Sequence, residues 1–488
     1  MEQLQAIHHT VMETYFSLEA GFTDIDNASI IERAEVVHLL GQEFSSKEID
    51  SIKDFSTSLI WFTYRKNFPA IGGTGPTSDQ GWGCMLRCGQ MLLAQALTKL
   101  HLDSSWKWER NSKDEIYRKL LRMFQDKRTS LFSLHQIAQM GVSEKKALGE
   151  WFGPNTIAQV LKKLVIYDDW SKMAIHVAMD NILISSDVRE MARAKPPCKE
   201  LSDISSREYN PQANGEEEQN GHTHEDIWKP LLIIVPLRLG LTVMNRCYLK
   251  AIQEYYKLPQ CVGIIGGRPN HAVYFYGIAK DKLLYLDPHV CQESVTVDKD
   301  PMEAIPSDQA STVLSSCQSN TSQVSMEYVD NPANSVTSET SSPELGRSAA
   351  SYDYPSPSTP PAVPNPSSPI PDTFDDSSFH CPYLMHMDFD SLDPSLALSF
   401  LCKSEEEYND LIKRLPSMIT ASSPPLFELL EKRPKGFPKF VPYVGEEDAL
   451  KIKGEFGIFT MTLFEVFLEF DDFGDPTFNS DEEFEVLM

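Results

Sequence analysis

The sequence predicts a mixed α/β (α+β) fold, and three observations predict it. First, residues 75–100 pass from turn chemistry into a helix. Gly75, Pro76, Ser78, Asp79, Gly81 and Gly83 are turn formers or caps, whereas Met85, Leu86, Leu92, Leu93, Ala96, Leu97 and Leu100 make an apolar stripe at three-to-four spacing. Second, residues 101–190 read as mostly helical, with apolar positions at helical spacing over 111–124 and 155–164. Third, from Leu231 the period becomes that of strands: L-L-I-I-V-P-L-R-L, C-V-G-I-I-G-G, A-V-Y-F-Y-G-I-A and K-L-L-Y-L.

In chain order, residues 1–50 are expected to form an N-terminal arm, with 2–18 either a short helix or a mobile piece. Residues 47–64 read as a helix ending in I-W-F-T-Y-R-K-N-F, and P-A-I-G-G-T-G-P-T-S-D as the loop before Cys84. Gly153-Pro154-Asn155 is a start signal for the helix over 155–164. The polar run E-E-E-Q-N-G-H-T-H-E-D within 198–226 reads as surface linker, and a helix over 245–256 follows the first buried strand. Lys280-Asp281 joins two strands as an antiparallel hairpin, and G-G-R-P-N (266–270) reads as a loop bordering the same cleft. The folded core is thus expected in two parts, 51–296 and 379–431. Residues 297–378 between them are rich in Ser, Thr, Pro and Asp, with ten prolines between 331 and 371. Such a segment buries too little surface to offset its ordering entropy, so it reads as a disordered insertion. After it, S-L-A-L-S-F-L-C is a strand, and Ser404 with Glu407 is a capping box for a helix. Residues 432–488 form an acidic tail, with nine acidic and no basic residues from 465 onward.

The chain has 488 residues, enough for a large core and more than one subdomain. A formal charge of −26 argues against nucleic acid or an anionic membrane surface as the main partner. No apolar run is long enough for a membrane span, and M-E-Q-L-Q-A-I-H-H lacks the basic and apolar regions of a secretory signal. Nine cysteines at irregular spacings suit free thiols in a reducing cytoplasm. With neither C-x-x-C nor H-E-x-x-H present, no metal and no cofactor is expected. His222 and His224 read as solvated loop residues.

The candidate chemistry centres on Cys84, where the glycine loop feeds the helix. Unpaired N–H groups and the helix dipole favour an anion there, and together with an imidazolium they can bring a thiol from about 8.5 down to about 3.5–7.5. The alternative is a cysteine serving as a small core hydrophobe. Asp287 and His289 (Y-L-D-P-H) share one face of an extended chain; they supply a base for Cys84 and a group that fixes the base's tautomer. Tyr64, ahead of the loop, is either an oxyanion donor or a packing residue. Trp151 is either a lid over a groove or a core anchor. The ending D-E-E-F-E-V-L-M sets Phe484 and Leu487 at a spacing suited to strand addition on a partner's sheet edge; the other reading is a solvated tail. Y-F-S-L (Tyr15 and Leu18) is a weaker match.

The stretch W-F-T-Y-R-K-N-F-P-A-I-G-G-T-G-P-T-S-D-Q-G-W-G-C-M-L-R-C-G-Q-M-L resembles the signature of the autophagy-related protein 4 cysteine peptidases. H-Q-I-A-Q-M-G-V, W-F-G-P-N-T-I-A-Q-V-L-K-K-L, P-L-R-L-G-L-T, G-I-I-G-G-R-P-N and Y-L-D-P-H match in order, over about residues 59–291 and 379–430. The resemblance implies a papain-like core with a small added subdomain. It implies an endopeptidase that cleaves after the C-terminal glycine of ubiquitin-like modifiers of the autophagy-related protein 8 class and removes them from phosphatidylethanolamine. Membranes would then be touched only transiently, through substrate. By matched position it implies Cys84 as nucleophile, His289 as base, Asp287 as its orienter and Tyr64 as oxyanion donor with the Cys84 N–H. Trp151 is implied as the cover of the scissile glycine, Gly267, Arg268, Pro269 and Asn270 as a loop that lifts for substrate, and Phe484 and Leu487 as a modifier-binding motif. The insertion after Cys291 and the residues after Asn270 depart from the compact pattern of the family. A non-catalytic module that binds a ubiquitin-like protein is the competing reading, and it leaves the triad idle.

Overall fold

The β-branched and aromatic runs after Leu231 build a mixed sheet, and the helix that begins at Cys84 packs against it. The computed structural model describes residues 31, 34–102, 106–194, 228–295 and 375–444. The first elements are β1 (Val36–Leu39), β2 (Gln42–Ser45), α1 (Ile49–Ser58), β3 (Tyr64–Lys66) and α2 (Cys84–His101). Four helices follow, α3 (Glu115–Met123), α4 (Leu134–Gly141), α5 (Pro154–Leu164) and α6 (Ser185–Arg193), with β4 (Ala174–Val177) and β5 (Ile182–Ile184) ahead of α6. Then come β6 (Leu231–Arg238), α7 (Leu249–Tyr256), β7 (Cys261–Arg268), β8 (His271–Ala279), β9 (Lys282–Leu286) and β10 (Cys291–Glu293). The last are β11 (Met385–Asp388), β12 (Ser395–Cys402), α8 (Glu405–Ile419) and β13 (Glu428–Leu430).

The sheet runs β11-β9-β8-β7-β12-β6-β4, antiparallel throughout except for β4 beside β6. Its middle strands are buried on both faces, which is why they read as unbroken apolar runs rather than alternating ones. Pro236 is tolerated in β6 because it lies past the four residues that β4 pairs. From Cys84 to Leu97 every residue of α2 is buried, so this helix is the core of the molecule rather than a cover on it. Ser404 caps α8 through the Glu407 N–H, and the Glu407 carboxylate accepts in return from the Lys403 N–H at 2.8 Å. The seven described cysteines are all free. Among the described residues no helix is long and apolar enough to cross a membrane.

Several expectations are corrected. The helix over 47–64 stops at Ser58, because L-I-W-F-T-Y sends its N–H groups elsewhere: Trp61 N donates to Phe379 O at 2.7 Å and Tyr64 N to Pro288 O at 2.8 Å. The helical stretch 101–190 contains β4, whose pairing with β6 overrides the local reading, and β5, which pairs β13. The G-G-R-P-N loop is the tight end of a hairpin, with Gly267 and Arg268 inside β7 and paired to β8. Within the expected arm, residues 36–45 form a hairpin that joins the sheet beside β8. Within the expected insertion, residues 375–378 are described and pack on the core: Asp376 accepts from Trp108 Nε1, Tyr117 Oη and Asn111 N. Arg65 ties the two flanks of the insertion together, donating to Glu293 O and Ser378 O, both at 2.9 Å. Residues 1–30, the linker histidines, 296–374 and the tail with Phe484 and Leu487 lie outside the described residues.

Candidate active site

Cys84 is the first residue of α2, and the loop ahead of it is held by one buried carboxylate. Asp79 O accepts from Trp82 N and Gly83 N, while Asp79 Oδ1 accepts from Arg65 N at 2.6 Å. Arg87, one turn into α2, donates to Asp79 Oδ2 at 2.7 Å and to Asp126 Oδ1 at 2.8 Å. A Cβ on Gly83 would lie 2.4 Å from Asp79 Oδ2. The glycine thus makes room for the brace. Burial opposes the Arg87 charge, but Asp126 and Asp79 outweigh it and hold the guanidinium firmly protonated. Removing one partner of such a buried pair leaves uncompensated charge. Arg87→Met is therefore expected to cost about 3–5 kcal/mol, measured as a lower denaturant midpoint.

The other half of the site arrives from the β8–β9 hairpin. β9 ends at Leu286, Asp287 follows, and Pro288 turns the chain so that β10 runs beside β3 with Cys291 opposite Tyr64. Trp61 Nε1 pins this turn by donating to Asp287 O at 2.7 Å. Asp287 Oδ1 accepts from the His289 N–H at 2.9 Å and lies 2.5 Å from His289 Nδ1. A carboxylate only accepts, so Nδ1 carries the proton and Nε2 is left to face the thiol.

The charges follow from this arrangement. Burial pushes the Cys84 thiol up, but the hydrogen bond and charge of His289, a backbone bond from Ala272 and the Tyr64 hydroxyl outweigh it, and its pKa falls below the ordinary value. Burial pushes His289 down, but Asp287 and then Cys84 outweigh it and raise it to about 9. Asp287 is opposed by burial, yet His289 and His271 hold it well below the usual carboxylate range. Both shifts favour the ion pair, thiolate beside imidazolium, over the neutral pair. The rate should rise with pH as Cys84 loses its proton, then fall above about pH 9 as His289 loses its own; a kcat/KM–pH profile checks both limbs.

Tyr64 is buried edge-on to His289, with ring centroids 5.3 Å apart, and its hydroxyl bonds to Cys84. Trp151 is 40% exposed just before α5, which argues against a core anchor. Its loop lies near the loop that precedes Cys84: a Cβ added to Gly72 would sit 3.7 Å from Leu148 Cδ1, and one added to Gly149 3.7 Å from Pro76 Cγ. Gly267 has φ +150° and no room for a side chain, since a Cβ would sit 2.0 Å from His271 O. Arg268 at the end of β7 and Pro269 and Asn270 in the turn beyond it are exposed.

Two features escaped the sequence reading. One is His271, whose ring stacks on His289 at 3.7 Å and 7° and whose Nε2 lies 3.3 Å from Asp287 Oδ2. The three donors of His271, Asp287 and His289 lie within 4.8 Å of one another. Parallel rings, however, direct their lone pairs side by side rather than at one point, a poor geometry for a shared ion. The other is the loop after β6, where Leu241 and Val243 are 83% and 67% exposed. It reaches the same rim, since Leu239 N donates to Pro394 O and Asp393 N to Gly267 O.

Residues 49–414 match the peptidase C54 catalytic domain. Cysteine protease ATG4B of Gallus gallus is 37% identical over 429 residues, covering 87% of this chain and 90% of that protein. Cysteine protease ATG4A of Homo sapiens is 37% identical over 414 residues, covering 84% and 85%. Cysteine protease ATG4A of Xenopus laevis is 34% identical over 468 residues, covering 95% of both.

Proposed function

Since the chain belongs to the peptidase C54 family and is a papain-like, cysteine-type peptidase, we propose that it cleaves after the C-terminal glycine of autophagy-related ubiquitin-like modifiers. Both the precursor and the phosphatidylethanolamine conjugate are its substrates, in the cytoplasm, with membranes met only through the conjugate. The observation that supports this best is the meeting of Cys84, His289 and Asp287 at a helix N-terminus within the matched domain.

The glycine tail lies extended beneath Trp151, against the Gly267–Asn270 turn, where a larger side chain has no space. The Cys84 thiolate attacks the glycine carbonyl; Tyr64 and the Cys84 N–H take the oxyanion. The C–N bond breaks as His289 gives its proton to the leaving amine. Water, losing a proton to His289, then hydrolyses the thioester and restores the thiolate. Peptide and ethanolamine amides share the acyl half, so one mechanism serves both. The exposed Leu241 and Val243 suit the body of the modifier. Phe484 and Leu487 would add to a modifier's sheet edge as a strand.

Tyr64→Phe removes one oxyanion donor and should lower kcat by about 10²–10³ with KM little changed, read from steady-state kinetics. The test of the function itself is mass spectrometry of a modifier extended beyond its glycine, and of its lipid conjugate. Cuts just after glycine support the proposal. Binding without cutting would leave only the scaffold reading.

A further inference from the structure

We propose that His271 is a positioning residue for this reaction, holding the far oxygen of Asp287 and the ring plane of His289 so that Nε2 of His289 stays aimed at Cys84. The inference rests on the reading of Cys84, His289 and Asp287 as the reacting set.

The hairpin register places it there. Tyr274 pairs with Leu286 at the end of β9, so His271, three residues back along β8, and His289, three residues past β9, leave the same end of the strand pair. Asp287 Oδ1 is taken up by the ring and backbone nitrogens of His289. A carboxylate held through one oxygen can still swing about its own bond. His271 Nε2, 3.3 Å from Oδ2, supplies the second hold. The His271 face lies 3.7 Å from the His289 face at 7°, and Tyr64 meets His289 edge-on at 80°. Between a face on one side and an edge on another, the His289 ring keeps one plane. The next residue, Ala272, bonds through its backbone to Cys84, so the start of β8 touches both nucleophile and orienter. The titratable groups that meet here are Cys84 from α2, Tyr64 from β3, Asp287 and His289 after β9, and His271 itself, with Arg268 on the exposed turn before it.

The test compares His271→Ala, His271→Gln and His271→Phe with wild type and Cys84→Ala, using a modifier extended beyond its glycine. Glutamine keeps an N–H donor near Asp287 without the stack, and phenylalanine keeps the stack without the donor. His271→Ala should lower kcat by up to about 100-fold with KM unchanged, since small misplacements of reacting groups have effects of that size. The rate of Cys84 alkylation by iodoacetamide should shift its midpoint to higher pH in the same variant. His271→Gln should regain most of both, and His271→Phe, which keeps only the stack, should regain clearly less. Melting curves of each variant separate this from lost folding. Kinetics and alkylation in His271→Ala that overlay wild type would overturn the proposal. So would recovery by phenylalanine equal to that by glutamine, which would make His271 a packing residue. Cutting by Cys84→Ala would instead sink the reading of the reacting set, so the two failures are distinguishable.

Discussion

Cys84→Ala should lower cleavage by a factor on the order of 10⁶ while the protein still folds and binds its modifier. Removing Sγ from a side chain already 1% exposed leaves a small void and no unpaired charge on the cysteine side. What is lost is the attacking atom itself. Nothing nearby replaces it. Cys88 sits one turn further along α2, wholly buried, and burial together with the Cys84 and Asp287 charges pushes its thiol well above the ordinary value. A protonated thiol inside the core neither attacks nor reaches substrate. Tyr64 and the helix N-terminus remain, but they stabilise an oxyanion that no longer forms at a useful rate. Single-turnover cleavage of the extended modifier measures the loss. A variant within tenfold of wild type would mean that another group carries the chemistry.

The proposed reacting groups, Cys84, Asp287 and His289, stood out in the sequence because each lies next to a strong local signal. Cys84 follows a run of turn formers and starts a long apolar stripe; Asp287 and His289 end a buried strand across a proline. His271 has no such neighbour. Its meaning depends on which residue of β8 stands opposite which residue of β9, and the register shift between Phe275 and Gly277 alters that pairing partway along the hairpin. A count through Lys280-Asp281 alone would have missed the shift. The Asp79–Arg87–Asp126 brace was hidden for a related reason. Arg87 stands on a helix that buries every residue to Leu97, and only the fold reveals that two distant carboxylates close on it.

The misread elements share one cause, tertiary pairing that overrides local preference. β4 is four residues long and set among helices; its strand form comes from β6, which lies more than fifty residues later in the chain. The segment after Ser58 carries apolar residues that suit a helix as well as a strand. Phe379 O and Pro288 O decide the matter by accepting its N–H groups. The turn around Pro269 looked like a free loop because glycines cluster there, yet Gly267 is required so that β7 and β8 can close on His271 O.

Asp287→Asn should lower kcat/KM by up to about 10⁴, the scale seen when the orienting carboxylate of such a triad becomes an amide. The carboxylate does two things here, and the amide undoes both. It accepts on both oxygens, from His289 on one and His271 on the other. An amide has one accepting atom and one donating group, so a proton on His289 Nδ1 and one on His271 Nε2 can no longer both be satisfied, and one ring must change tautomer or turn away. The carboxylate is also the charge that raises His289 to about 9 against the opposite pull of burial. Without it burial prevails, and His289 loses its proton at lower pH. Cys84 then lacks a full imidazolium beside it and ionises at higher pH. The basic limb of the pH profile should move down and the acidic limb up, narrowing the bell from both sides as its height falls. A profile of kcat/KM from pH 5 to 10 reads all three changes. If the height falls while both limbs stay in place, Asp287 orients His289 without holding its charge, and the ion pair at rest must be sustained by Cys84 and His289 alone.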